Sequence, residues 1–178
     1  DGGAAPGPGH RKVIDYTLYG GAAYDGCDNG HGTHVCGTIA GDQSYVTPGN
    51  YDYNGVAYMA KLMMQDVGTD DEWSCTTGSV SIPASLTAAY QAAYNGGARI
   101  HSNSWGGGVP GAYSVQCNQL DRFVWNHRDC LVIVAAGNDG VDGDGDVAGI
   151  DPMSVSSPAT ATKCLTVGAC ENPRVGEF

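Results

Sequence analysis

The sequence predicts an α/β fold in which a parallel sheet is flanked by helices on both faces. Two short segments, residues 131–136 (LVIVAA) and 165–169 (LTVGA), are apolar almost throughout, as strands buried on both faces of a parallel sheet are. They alternate along the chain with segments whose apolar residues recur at helical spacing. With 178 residues, 42% of them hydrophobic, the chain has material for one packed core. We therefore expect one domain, or part of one.

The first half of the chain reads as strand, helix, strand and helix. Residues 12–16 (KVIDY) predict a short strand, and residues 31–41 (HGTHVCGTIAG) predict a small-residue helix capped by Asn29. Residues 57–67 (AYMAKLMMQDV) predict a largely apolar strand. A helix follows this strand, because apolar residues repeat at i, i+3, i+4, i+7 and i+8. These residues are Leu86, Ala89, Tyr90, Ala93 and Tyr94. Gly96 and Gly97 end the pattern.

The second half continues the alternation. Residues 98–104 (ARIHSNS) predict a strand that runs into glycines. A helix follows, because Leu120, Phe123, Val124 and His127 keep helical spacing. The two apolar strands at residues 131–136 and 165–169 complete the sheet. In such folds the active site gathers beyond the carboxyl ends of the strands, so we expect chemistry at that edge.

The charge balance argues against a nucleic-acid partner. The chain carries 8 Lys and Arg against 19 Asp and Glu, a formal net charge of −11, whereas phosphate contacts need clustered cations. The longest apolar run, residues 131–136, is far shorter than the roughly 20 residues of a membrane-spanning helix. We therefore expect a soluble protein that has neither nucleic acid nor membrane as a partner.

The seven cysteines are spread along the chain without a C-x-x-C pair that would suggest a zinc knuckle or a thioredoxin-like site, and their number favours an oxidising compartment. Because their number is odd, at least one thiol is free or pairs outside the chain. Cys130 and Cys164 each precede an apolar strand. Neighbouring parallel strands would bring them together, so we predict a disulfide between them. Residues 1–9 have neither a basic head nor an apolar run, so we expect a processed or cut end there.

Three polar clusters fall at the ends of predicted elements, and each has a catalytic and a structural interpretation. His31 opens a helix and can act as a general base near neutral pH, or it can cap the helix. Asn138 follows Ala-Ala-Gly at a strand end and can donate an N–H to a developing oxyanion, or it can serve a turn. Residues 102–106 (SNSWG) can offer a backbone edge to an extended peptide, or can form a glycine turn.

Together these clusters resemble one family, the subtilisin-like serine proteases, or subtilases. HGTHVCGTIAG is similar to the family's histidine motif H-G-T-H-V-A-G-T-I-A-G, with Cys36 in place of a small alanine. SNSWG resembles the segment that lines the substrate cleft, and AAGNDG resembles the motif with the oxyanion-hole asparagine. Residues 156–172, SSPATATKCLTVGACEN, resemble a stretch of the branch that includes the large bacterial alkaline proteases. The motifs occur in the family's order along nearly the whole chain.

The resemblance implies a role for each motif in serine acyl transfer. It makes His31 the catalytic base and Asn138 the oxyanion donor, and it leaves His34 a structural companion buried in the helix. A polypeptide substrate would pair as an added strand with one wall of the cleft and lie above the floor of the specificity pocket. The wall is Ser104, Trp105 and Gly106, and the floor is Ala135, Ala136 and Gly137.

Two members of the family's triad have no motif in the chain. No G-T-S-x-A serine motif occurs up to Phe178, and no strand precedes Asp1, which would follow the aspartate motif or be a degenerate form of it. Asp15 is the substitute considered, although it has no glycine two residues on and lies close to His31. We interpret residues 1–178 as the incomplete, central part of one peptidase domain and expect these residues alone to be inactive. The alternative is a pseudoprotease or a truncated module that binds peptides without cutting them.

The implied chemistry requires no cofactor, and two groups of residues resemble metal sites. Asp142, Asp144 and Asp146 alternate as calcium ligands do, and calcium is common in subtilases, but the loop lacks the Gly and Glu of an EF-type loop. A zinc-binding module is the alternative from another functional class. Its ligands would be Cys27, His31, His34 and Cys36. We expect a secreted monomer.

Overall fold

The chain folds as two compact units, Asp1–Gly96 and Gly97–Phe178. The computed structural model describes residues 6–19, 30–44, 47–49, 51–69, 80–140 and 152–170. Each unit contains a parallel sheet with helices, which confirms the α/β class. Within the described residues the strands form two sheets, where the sequence predicts one.

The first unit has a two-stranded sheet with helices on both faces. Its elements are β1 (Val13–Leu18), α1 (His31–Ala40), β2 (Leu62–Asp66) and α2 (Leu86–Asn95). Met64 Sδ in β2 lies 3.0 Å from Cys36 Sγ in α1, whereas Gln65 Nε2 donates to the carbonyl of Ala89 in α2 at 2.8 Å. Because neighbouring strand residues point to opposite faces, α1 and α2 cover opposite faces of this sheet.

The second helix buries the face that its sequence pattern predicts. Leu86, Ala89, Tyr90 and Ala93 are all buried, which is the i, i+3, i+4, i+7 stripe. Ser85 caps the helix by accepting a hydrogen bond from the backbone N–H of Ala88 at 3.2 Å.

The strand predicted at residues 57–67 is shorter in the structure. It begins at Leu62, because the backbone N–H of Ala60 donates to the carbonyl of Ala57 at 2.8 Å and closes a turn there.

The second unit has a three-stranded parallel sheet in the order β3-β4-β5. Its elements are β3 (Ile100–Asn103), α3 (Val115–Asn126), β4 (Leu131–Ala135) and β5 (Leu165–Val167). The core lies between α3 and β4, where Leu120, Phe123, Val132 and Val134 are almost fully buried. In the described part of the chain the other side of β4 is more open, and Leu131 is 42% exposed. The expectation of a strand buried on both faces is therefore met on one face of β4.

The predicted disulfide between Cys130 and Cys164 is wrong, since both cysteines are free thiols. The strand register explains why. Ile133 pairs with Leu165, so Cys164 lies opposite Val132, and Cys130 lies two residues further down its strand. At usual strand spacings their Cα atoms are about 8 Å apart, beyond the reach of a disulfide. Burial, with the nearby Asp129 charge, raises the pKa of the Cys130 thiol.

Within the described residues no helix is long and apolar enough to cross a bilayer.

Candidate active site

His31 is the first residue of α1, and its side chain is exposed. The preceding residue, Gly30, adopts a left-handed backbone conformation (φ 41°, ψ 40°) that favours glycine. Its carbonyl accepts a hydrogen bond from the backbone N–H of His34 at 2.8 Å. Gly30 occupies the N-cap position of the helix, and the predicted cap at Asn29 stays a prediction. Asn29 lies outside the described residues.

The last turn of α1 anchors the helix. Ala40 is buried, and the carbonyls of Thr38 and Ile39 accept hydrogen bonds from the backbone N–H groups of Val56 and Ala57 at 3.1 and 2.7 Å. His34, in contrast, is exposed, so the predicted burial of this residue is wrong. The helix is fastened at its C-terminal end and presents both histidines of its first turn to solvent.

His101 in β3 is the described histidine with a strongly perturbed pKa. Burial lowers its pKa from 6.5 to about 4, although a hydrogen bond to Asn103 acts in the opposite sense. This imidazole is therefore neutral at physiological pH, and it is largely buried. The perturbation marks a structural histidine rather than the one in the histidine motif.

The other predicted acids and metal ligands are tested only in part. Asp15 lies inside β1 and accepts a hydrogen bond from the Thr17 hydroxyl at 3.3 Å. Asp1, the three aspartates predicted to bind calcium, and Cys27 of the zinc alternative lie outside the described residues. Among the residues that are described, no three His, Cys, Asp or Glu side chains cluster as a metal site would require.

The carboxyl ends of β3 and β4 bring two of the predicted motifs together. Asn103 at the end of β3 pairs with Val134 in β4. Its side chain is buried and donates to the carbonyl of Ile133 at 3.0 Å, which locks the two strand ends in register. Ser104, the first residue after β3, therefore lies level with Ala135, the last residue of β4, at the same edge of the sheet. Residues 104–106 and 135–138 are neighbours.

Ser156 stands between these two segments. Its backbone N–H donates to the carbonyl of Ala136 at 3.0 Å, and its side chain is buried. A Cβ atom placed on Gly106 or on Gly137 would come within 2.7 or 2.8 Å of its hydroxyl oxygen. A side chain at either glycine would therefore force Ser156 or the glycine backbone to shift. Sequence reasoning placed this serine in a family-like stretch but gave it no role.

Asn138 follows directly on this packed edge. Gly137 has φ 114°, which turns the chain away from the strand, and Asn138 is exposed. The backbone N–H of Ala136 donates to Val167 in β5 at 2.9 Å. Backbone hydrogen bonds therefore hold Ala136 on both sides, two residues before the exposed Asn138.

We expect Gly137→Ala to lower the free energy of unfolding by about 2 kcal/mol, because a side chain is strained at this φ and would also meet Ser156. Gly140→Ala is the matched control, since its nearest contact, the Ser154 hydroxyl at 3.9 Å, is an ordinary one. Urea unfolding of both variants measures the difference. Equal stabilities would contradict the packing described at this edge.

Ser157 ties the same edge to the start of α3. Its backbone carbonyl accepts from the N–H of Gly107 at 2.9 Å. Its hydroxyl bonds to Ser114, the N-cap of α3, and lies 3.4 Å from the Cys117 sulfur. Burial alone would raise the pKa of the Cys117 thiol, but hydrogen bonds with Ser157, Thr160 and Ser114 outweigh it and lower the pKa.

Asp121 on α3 holds the segment that leads into β5. The residue is 8% exposed, and its carboxylate accepts hydrogen bonds from the Tyr113 hydroxyl, from the Thr162 hydroxyl and N–H, and from the Lys163 N–H, at 2.8 to 3.2 Å. Burial alone would raise its pKa, but these bonds outweigh burial and lower it. Reciprocally, the hydrogen bond to Asp121 raises the pKa of Tyr113.

Asp121→Ala is expected to lower the free energy of unfolding by about 2 kcal/mol, because it removes the charged acceptor of four hydrogen bonds. The folded-state pKa lies below the unfolded value, so this stability is present above pH 3.8 and is lost as the pH falls through the folded pKa. Urea unfolding at neutral pH and at acid pH measures both effects. The control is Asp129→Asn, whose carboxylate is exposed in its ion pair with Arg99. A variant as stable as the control at neutral pH would contradict this role.

Comparison with known proteins identifies the family. The sequence profile described as "Subtilase family" matches residues 16–177. The chain belongs to the subtilase family. Among curated relatives, it is 32% identical to the serine protease/ABC transporter B family protein tagA of Dictyostelium discoideum, over 94% of this chain and 9% of that protein. It is 33% identical to alkaline protease 1 of Emericella nidulans, over 90% of this chain and 33% of that protein.

Solved structures of subtilisin-like proteases share the fold. The prenylagaramide maturation protease PagA superposes with a TM-score of 0.58 at 23% identity, over 95% of this chain and 52% of that one. A mutant of the protease domain of PatA gives a TM-score of 0.58 at 25% identity, over 89% and 51%. This subtilase chain therefore spans about half of each solved relative and at most a third of the curated relatives named above.

Proposed function

We propose that the chain forms part of a serine endopeptidase that hydrolyses peptide bonds through an Asp-His-Ser triad and an acyl-enzyme. His31 is the general base, and Asn138 is the oxyanion donor. The observation that carries the proposal is the edge at which β3 and β4 end. There a subtilase-like cleft segment, residues 104–106, lies beside the segment that presents Asn138.

In the first step a serine hydroxyl attacks the peptide carbonyl, and His31 takes the hydroxyl proton. The carbonyl oxygen gains negative charge, and the Asn138 side-chain N–H donates to it. The tetrahedral intermediate then collapses to an acyl-enzyme while His31 gives the proton to the leaving amine. Water repeats the sequence to release the acid. The exposure of both side chains on fixed backbone supports these roles.

The substrate is a polypeptide bound in extended form. β3 ends at Asn103, and the backbone pairs again at Gly107 with Ser157, so Ser104, Trp105 and Gly106 lie between two fixed points. This length suits pairing with a substrate strand. Ala135, Ala136 and Gly137 form the pocket floor. Ser156 fills the space beside Gly106 and Gly137, which limits the depth available to a substrate side chain.

The nucleophilic serine and the aspartate of the triad have no matching motif within residues 1–178. Residues 1–178 contain no G-T-S-x-A sequence, so we predict no hydrolysis by these residues alone. That same observation favours a second candidate function, a pseudoprotease or truncated module that binds peptides without cutting them.

We further propose that the protein is secreted, works as a monomer, and needs no cofactor for its chemistry. The five cysteines among the described residues are free thiols, so the prediction of an oxidising compartment gains no support from the structure. Structural calcium at Asp142, Asp144 and Asp146 stays a prediction.

Labelling of the protein from its source with a serine-reactive fluorophosphonate tests the proposal. We expect stoichiometric labelling of one serine, accompanied by loss of peptide hydrolysis. A folded protein that binds peptides but takes up no label would overturn the enzyme in favour of the binding module.

A further inference from the structure

Two cationic side chains lie over the ring of an exposed tryptophan on α3. Trp125 is 60% exposed. The guanidinium carbon of Arg128 lies 5.1 Å from its ring centroid, and the ammonium nitrogen of Lys163 lies 5.5 Å from it. Both distances are within the range of cation–π attraction. Two positive charges therefore lie close to an indole ring that is also exposed to solvent.

A shallow pocket of about 360 Å³ adjoins this ring, lined by Tyr113, Asp121, Arg122, Trp125, Asn126 and Lys163. Its one carboxylate, that of Asp121, is buried and accepts from neighbouring hydroxyl and backbone N–H groups. Among the described residues, neither Arg122, Arg128 nor Lys163 forms an ion pair with a carboxylate. We call Arg122, Trp125, Arg128 and Lys163 the Trp125 patch.

The patch is unusual for this chain because the chain as a whole is acidic. Its net charge is −11, and the patch holds three of its eight Lys and Arg. Two cations at one aromatic ring and a third in the adjoining pocket provide charge complementarity to an acidic partner. Guanidinium groups pair with carboxylates in a fixed, two-pronged geometry, and the indole offers apolar contact beside them.

We propose that the Trp125 patch is a docking surface for a short acidic segment of a partner polypeptide. The acidic side chains pair with Arg122, Arg128 and Lys163, and the chain between them lies across Trp125. Nucleic acid fits less well, because three cations on an acidic protein neutralise few phosphates. Membrane surfaces are bound by clusters of roughly 4–8 cations, which the patch lacks. The surface is independent of the proposed peptidase chemistry.

The test measures binding of a fluorescein-labelled oligoglutamate peptide by fluorescence polarisation. The full protein carries His31→Ala so that the peptide is not cut, and oligoglutamine is the uncharged control peptide. We expect oligoglutamate to bind and oligoglutamine not to bind, with affinity falling as salt is added. Neutralising Arg122, Arg128 and Lys163 together to Gln should weaken binding about tenfold.

A matched pair of single variants separates the patch from general charge. Lys163→Gln should weaken binding about threefold, whereas Lys61→Gln, which removes the same charge from an exposed site in the first unit, should not. Equal effects of the two, or an unchanged affinity of the triple variant, would overturn the proposal. Tighter binding of a single-stranded oligonucleotide or of anionic vesicles, lost in the triple variant, would overturn the assignment to a polypeptide. None of these outcomes depends on catalysis by His31.

Discussion

His31→Ala is expected to abolish peptide hydrolysis by the full protein, with kcat falling by about 10⁶. That magnitude belongs to subtilisin, itself a subtilase. The loss is large because the base activates the serine and also protonates the leaving amine, so both chemical steps fail without it. Steady-state kinetics on a peptide substrate measures the change.

His34→Ala is the matched control for that substitution. His34 lies on the same helix, three residues along the chain, and is also exposed. We expect kcat to stay within about threefold of the parent protein, as for an ordinary surface substitution. If the two variants lost activity equally, the assignment of His31 as the base would fail.

Asn138→Ala is expected to lower kcat by about 10²–10³ while KM changes little, again on the scale known from subtilisin. The asymmetry arises because the amide N–H bonds the oxyanion in the transition state more strongly than the ground-state carbonyl. The same truncation at Asn95, an exposed residue at the end of α2, controls for a general effect of losing an amide. A rise in KM at constant kcat would show that Asn138 binds substrate instead of stabilising the oxyanion.

The sequence predicted the elements with strong periodicity well. The apolar stripe of α2 and the apolar run of β4 both lie where their patterns indicate. Burial of one face dominates such segments, so the pattern of apolar residues suffices to find them. The meeting of the strand ends at one edge was predictable from strand direction, because the carboxyl ends of parallel strands lie at the same edge of a sheet.

Features set by tertiary register were not predictable. Cys130 and Cys164 precede neighbouring strands, but the offset in pairing between β4 and β5 separates them. Ser156 is distant in sequence from Gly106 and Gly137, and its place between them follows from how the loop before β5 returns to the sheet. A single sequence carries no signal for either.

Local details of the histidine helix also escaped prediction. The family resemblance predicted a buried His34. That prediction failed because a resemblance transfers the position of a residue in the sequence but not the neighbours that would bury it. In this structure the helix is anchored at Ala40, and its first turn is exposed.

Alkylation by a peptidyl chloromethyl ketone tests the central claim most directly. The serine adds to the ketone carbonyl, and the catalytic imidazole then displaces chloride and forms a nitrogen–carbon bond. Peptide mapping by mass spectrometry identifies the modified histidine. We predict that inactivation coincides with alkylation of His31 and leaves His34 unmodified. Alkylation of His34, or inactivation with both histidines unmodified, would contradict the placement of His31 beside the nucleophile.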